Sequence, residues 1–213
     1  MSARANATER LDPARTALLF FDMLNGHVRK DDAATQARYA PVIAAAVRLL
    51  EAARRAGIVV MYAAAHHRPD NATSAHLVTD TDNRLRPLAP NAPRETKPAV
   101  AAGTWEAQVI DELEPQPQDY MVPKFRWSAF HQTYLDLALR SRNIDTLVIS
   151  GGSTDVGVAS TAYAARDLDY NLVIVSDACT SPEEDNHKQF MQRIFPRMAR
   201  VRTAEQVVRA LSF

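Results

Sequence analysis

The sequence predicts an α/β fold: a three-layer αβα arrangement around a doubly wound, mainly parallel sheet of six strands. Three observations predict it. Short continuous apolar runs recur along the chain, beginning with Thr16-Ala-Leu-Leu-Phe-Phe21, as expected of parallel strands buried on both faces. Segments of helical spacing separate these runs, and such alternation implies parallel pairing through right-handed crossovers. The length of 213 residues suits one doubly wound domain with a full core. Residues 1–13, polar and alanine-rich, are expected to form a flexible N-terminal arm, and 14–213 a single domain.

Each element has its own signal. Thr16–Phe21 is the first strand, with Asp22 at its end. Pro41 to Ala56 carries apolar residues at helical spacing, Arg54 and Arg55 near the end and Gly57 as the stop, the expected signature of a helix C-terminus. Ile58–Tyr62 is the second strand. From Ala63 to about Gly103 periodicity fails and prolines recur, so a long irregular excursion is expected, of the kind that often forms a functional lid. Thr104–Leu113 reads as a short helix and Tyr120–Pro123 as the third strand, delivering Lys124. His131–Arg142 reads as a helix, Ile144–Ser150 as a strand, Val156–Leu168 as a helix and Leu172–Val175 as a strand running towards Asp177-Ala178-Cys179. Glu183–Phe195 is an expected helix, Arg200-Val201 a brief sixth strand, and a last helix starts near Thr203.

Composition narrows the function. Lysine plus arginine equal aspartate plus glutamate at 25 each, so no global field recruits nucleic acid or an anionic membrane. A lone cysteine, Cys179, excludes an internal disulfide and fits a reducing compartment. No apolar run approaches the roughly 20 residues of a membrane span, and the N-terminus lacks the apolar stretch of a signal peptide. The expectation is a cytoplasmic protein acting on a small molecule.

In an open parallel sheet, ligands bind outside the carboxyl ends of the strands. Three features converge there. Asp22 ends the first strand, Lys124 ends the third, and Gly151-Gly152-Ser153-Thr154-Asp155-Val156-Gly157-Val158 follows the fourth. The paired glycines permit positive φ and close approach of a ligand to the backbone, and unpaired N–H groups at the helix start favour a carboxylate or a developing oxyanion.

These segments are similar to those of the isochorismatase-like hydrolases, also called the cysteine hydrolase superfamily. Members carry an aspartate after the first strand, a lysine in a K-x-R-x-S-A-F segment and a G-x-x-T-[DN]-V-C-V turn. Here Phe20-Phe21-Asp22-Met23, Lys124-Phe125-Arg126-Trp127-Ser128-Ala129-Phe130 and Gly151–Val158 match them in order. The resemblance implies catalytic roles for Asp22, Lys124 and position 157. In most members the cysteine attacks an amide or similar carbonyl, with the aspartate as base and backbone N–H groups as oxyanion hole. Gly157 stands at that position, and glycine offers no nucleophile. True isochorismatases, as the resemblance has it, also carry glycine there and cleave a vinyl ether by acid catalysis. General acid catalysis at neutral pH requires a raised carboxyl pKa, which burial of Asp22 among Phe20, Phe21 and Met23 would favour and Lys124 would oppose. Glycine is also expected to leave room for a bulkier substrate or a water.

Substrate-binding candidates are Gly152, Ser153, Thr154, Phe125, Trp127, His67, Arg84 and Arg86. The excursion lacks the Q-R-G-L-L-x-x-F-W-G loop of true isochorismatases and carries His66-His67-Arg68-Pro69-Asp70 and Asp80–Arg86 instead, so the substrate pocket is expected to differ. Arg68, Arg84 or Arg86 could bind a carboxylate as a fork. His66, His67, Asp70 and His76 lack the D-x-H spacing of the family's metal-binding members, and neither a metal nor another cofactor is expected. Ser153 and Thr154 have no G-x-S-x-G elbow and no evident histidine partner, so turn capping is their expected role. His187 reads as a helix-start residue and Cys179 as a small buried apolar side chain. Three functions stay open: acid-catalysed cleavage of an isochorismate-type vinyl ether, hydrolysis of an amide or other C–N bond by an Asp22-activated water, and non-catalytic binding. The resemblance further implies a homodimer or homotetramer.

Overall fold

A computed structural model describes residues 9–70, 72–74 and 100–211. Six strands, β1 (Thr16–Phe21), β2 (Val59–Ala65), β3 (Tyr120–Lys124), β4 (Thr146–Gly152), β5 (Asn171–Thr180) and β6 (Arg200–Arg202), form one all-parallel sheet in the order β3-β2-β1-β4-β5-β6. Six helices accompany them: α1 (Asn25–Val28), α2 (Ala33–Ala56), α3 (Leu135–Ser141), α4 (Ala159–Asp167), α5 (Glu184–Gln189) and α6 (Ala204–Leu211). Every residue of β1 and β4 is buried. Alternation along β1 divides the core. Leu18 and Phe20 pack with Val42 and Leu49 of α2, while Ala17, Leu19 and Phe21 pack with Leu139 of α3 and Ala162 of α4. The result is the expected α/β three-layer fold, with strand order reversing between β1 and β4, which is where such sheets open a ligand crevice.

Several boundaries differ from those expected, each for a local reason. α2 starts at Ala33 rather than Pro41, because the Asp32 carboxylate accepts a hydrogen bond from the Thr35 N–H (2.6 Å) and caps the helix there. Pro41 is then accommodated inside the helix. The helix ends as anticipated at Gly57, φ 70°, a left-handed cap that suits glycine. The expected helix Thr104–Leu113 is instead two 3₁₀ turns, Trp105–Ala107 and Asp111–Leu113. Between them Val109 bridges Leu24, and the Ile110 N–H donates to the Met23 carbonyl (3.1 Å), so the backbone there is extended. α3 is shorter than His131–Arg142, since Gln132 has a φ of 54° that no right-handed helix contains. β5 runs past Val175 to Thr180: a bulge between Ile149 and Gly151 of β4 restores pairing at Gly151–Cys179 and Gly152–Thr180.

Residues 9–13 are docked. The Leu11 N–H donates to the Ala210 carbonyl (3.1 Å) and its side chain is buried, while Glu9 pairs with Arg202 (2.6 Å). Among the described residues no helix is long and apolar enough to cross a membrane.

Candidate active site

Asp22 leaves β1 with a φ of 49°, a left-handed conformation that asparagine and aspartate tolerate better than most side chains. Its N–H donates to the Ala63 carbonyl (2.9 Å) and its Oδ1 accepts from the Ala65 N–H (2.9 Å), which clamps the residue to the end of β2. On the other side of β2, Lys124 closes β3 in register with Ala65. The two side chains meet across the strand end: Lys124 Nζ lies 2.6 Å from Asp22 Oδ2, with side-chain exposures of only 7% and 12%. The Lys124 segment is itself tied down, since the Ala129 N–H donates to the buried Thr161 hydroxyl of α4 (3.0 Å).

The glycine turn closes the third side. Gly151 has a φ of 127°, and a side chain there would come closer than 3.0 Å to the Phe21 backbone. A Cβ at Gly152 would stand 2.8 Å from the Tyr39 hydroxyl. After Ser153 the chain enters a π turn, Thr154–Val158, in which the Val158 N–H donates to the Ser153 carbonyl (3.0 Å), and α4 continues from it. Such π turns recur at functional sites.

Gly157 sits within this turn against Phe21. A Cβ at Gly157 would fall closer than 3.0 Å to Cε1 and Cζ of the Phe21 ring and 3.2 Å from Cδ1. The ring is buried, and Lys124 Nζ stands 4.4 Å from its centroid, within cation–π range. The expectation that glycine leaves room for substrate or water is therefore corrected: the room belongs to Phe21.

Asp22, Lys124, Gly152, Ser153 and Gly157 all border one pocket of about 340 Å³. Phe21, Tyr39, Trp127, Val156 and Pro182 form its walls, and His27, Lys30 and Arg38 add basic groups, leaving Asp22 as its one carboxylate among the described residues. Burial, aided by Lys124 and Lys30 and opposed by Asp22, pushes the His27 pKa below its usual value, so the imidazole is neutral at pH 7. Burial likewise raises the Tyr39 phenol. A larger cavity of about 850 Å³ is lined by His66, Thr104, Glu114 and Met121 but contains neither Asp22 nor Lys124.

The remaining sequence candidates lie elsewhere. Phe125 and His67 meet each other edge to face, ring centroids 6.2 Å apart, and are not pocket walls. Thr154 is fully buried, and its hydroxyl lies 2.9 Å from His187 Nδ1. Thr154 thus has the histidine partner that the sequence did not reveal, and His187 serves to tie the π turn to α5. Ser153 donates to Asp155 rather than capping the turn, and Asp155 also accepts from Ser181 (2.5 Å) and Asn186 (2.8 Å). Arg68 is paired with Asp70 (2.6 Å). Arg84, Arg86 and His76 lie outside the described residues. Among those described, no three His, Cys, Asp or Glu side chains converge as a metal site would require.

The family model described as "Isochorismatase domain" matches residues 16–206. The chain belongs to the isochorismatase family. Ureidoacrylate amidohydrolase RutB of Pseudomonas syringae pv. syringae is 34% identical over 177 residues, covering 79% of this chain and 72% of that protein. Among solved structures, an isochorismatase family protein of Burkholderia thailandensis superposes with a TM-score of 0.77 at 32% identity, covering 96% of this chain and 98% of that one. N-carbamoylsarcosine amidase of Thermoplasma acidophilum does so with a TM-score of 0.70 at 27% identity, covering 90% of this chain and 97% of that one. This isochorismatase-family chain is accordingly a hydrolase, and the substrate is a separate question.

Its single thiol does not belong to the pocket. Cys179 is buried on β5, and burial pushes its pKa up to about 12. A thiol held protonated and covered is inert. The native protein is expected to show no labelling by iodoacetamide at pH 8, with one equivalent incorporated after unfolding in guanidinium. Labelling of the native state would show Cys179 to be a reactive thiol after all.

Proposed function

We propose that this protein hydrolyses a small organic substrate at the Asp22–Lys124 pair, with water as the nucleophile and no covalent thiol intermediate. One observation carries the reading: the Phe21 ring occupies the space that a side chain at position 157 would need. The resemblance sets the family's thiol at Gly157. Here that position has neither a sulfur atom nor the volume for one, so the attacking oxygen must come from water.

Both Asp22 oxygens accept hydrogen bonds, from the Ala65 N–H and from Lys124, an arrangement suited to taking a proton rather than giving one. Asp22 draws the proton from water as its oxygen adds to the substrate carbonyl. Lys124 steadies the negative charge, and first-turn N–H groups between Ser153 and Gly157 stabilise the tetrahedral oxyanion. The same proton then passes from Asp22 to the departing nitrogen. A C–N bond is favoured as the target because two similar proteins are named for such reactions, an amidohydrolase and an amidase. A second reading, vinyl ether cleavage of an isochorismate-type substrate with Asp22 as acid, is favoured by the Lys124–Phe130 segment. We place the enzyme in the cytoplasm as a homodimer or homotetramer, with Trp127, 68% exposed at the pocket, on the side where a second copy completes the wall.

The test is a turnover panel: ammonia release from N-carbamoyl amino acids and small ureido acids, beside pyruvate release from isochorismate. Ammonia release with no mass adduct on the protein during turnover is the expected result. A trapped acyl-enzyme would overturn the water route, and pyruvate release alone would favour the vinyl ether. No product from either class above a protein-free control would favour a binding protein.

A further inference from the structure

Among the described residues Arg38 is the one arginine that lines the pocket, and the bonding of the fold leaves it unexplained. It belongs to the N-terminal part of α2, beside Tyr39, with its guanidinium 5.5 Å from the Tyr39 ring centroid. Its Nη2 makes one long contact to the Thr35 hydroxyl (3.3 Å), while its Nε is buried without a hydrogen-bond partner. The nearby Asp32 carboxylate is committed to the Thr35 N–H. That Nε is covered, so what Arg38 offers the pocket it lines is its terminal guanidinium nitrogens, which among the described residues hold no ion pair and only the long Thr35 contact.

The rest of the pocket describes that ligand. Among the described residues its cations are Lys30, Arg38 and Lys124, beside the neutral His27, and its one carboxylate, Asp22, is already engaged by Lys124. The charge balance of the whole chain, 25 against 25, is therefore not reproduced inside the pocket, where cations exceed anions. Phe21, Trp127 and Pro182 offer apolar surface to an organic body. The two terminal nitrogens of a guanidinium match the two oxygens of a planar carboxylate.

We propose that Arg38 is the specificity-determining residue of this pocket, binding a carboxylate on the substrate, so that the preferred substrates are small carboxylate monoanions with their scissile group over Asp22. The placement of the scissile group rests on the hydrolytic reading above; the carboxylate site does not.

Calorimetry with benzoate and its neutral isostere benzamide tests this without turnover. The wild type should bind benzoate at least about 10-fold more tightly than benzamide. Arg38→Gln should weaken benzoate by about 30-fold and erase the preference, and Arg38→Lys should recover part of it, as a point charge without the fork. Asp22→Asn and Lys30→Gln should each retain the preference. Equal affinity for benzoate and benzamide in the wild type would overturn the proposal, a result that needs no variant to fold. So would undetectable benzoate binding, unchanged affinity in Arg38→Gln, or a loss that falls on Lys30→Gln instead. Absence of turnover on every substrate would sink the hydrolytic reading while leaving these outcomes in force.

Discussion

Asp22→Asn is expected to lower kcat/KM by about 10³-fold, the scale on which positioned general bases act, and also to cost stability. The backbone adds no strain, since Asp22 has a φ of 49° and asparagine enters that region as readily as aspartate. The cost comes from the pair: Lys124, only 7% exposed, is left without its carboxylate, and one amide oxygen replaces the two that accept from Lys124 and the Ala65 N–H. Lys124→Met breaks the pair from the other side. It strands a carboxylate that is 12% exposed, and breaking a buried pair from one side typically costs about 3–5 kcal/mol. The double variant Asp22→Asn with Lys124→Met should recover most of that loss, because no charge is then left alone. Chemical denaturation with kcat/KM measured on the same samples checks both. Full activity in Asp22→Asn would remove the aspartate from the mechanism.

Gly157→Cys should fail to create a thiol enzyme and should lose about 1–3 kcal/mol of stability, the usual cost of overpacking a close-packed region. The new Cβ would collide with Cε1 and Cζ of a buried ring. That ring packs with Leu19 and Ile149 on the sheet side and with Lys124 over its face. Shortening the obstruction should reverse the catalytic outcome: Phe21→Ala with Gly157→Cys, although loss of a buried ring itself costs about 3–5 kcal/mol, is expected to gain iodoacetamide-sensitive hydrolysis of p-nitrophenyl acetate. Restoring the thiol by itself is thus not enough. If Gly157→Cys alone is stable and acquires that esterase, Phe21 is not the barrier that its position implies.

Phe21 and Gly157 explain why part of the site was legible in the sequence and part was not. Asp22, Lys124 and the glycine turn each follow an apolar run, and the topology of a parallel sheet carries strand ends to one edge regardless of how far apart they are in the chain. Local sequence sufficed to place them. The contact between Phe21 and Gly157 joins residues from two strands' ends, and its register depends on β1 pairing with β4 so that Phe21 faces Gly151. Thr154 and His187 are similar: 33 residues separate them, and no spacing rule links a π turn to α5, which lies beyond both α4 and β5.

The sequence alone determined the sheet, its six strands, the family and the acid–lysine pair, because hydrophobic periodicity and strand-end motifs are local properties of the chain. The tertiary structure decided what fills the position beside the turn and which cations surround the pair. Arg38 and Tyr39 were invisible from the sequence because Pro41 reads as a helix start, whereas the Asp32 cap begins α2 at Ala33. The added turns carry both residues to the pocket. Side-chain volume and cation placement arise from packing between distant segments, and only the folded chain brings those segments together.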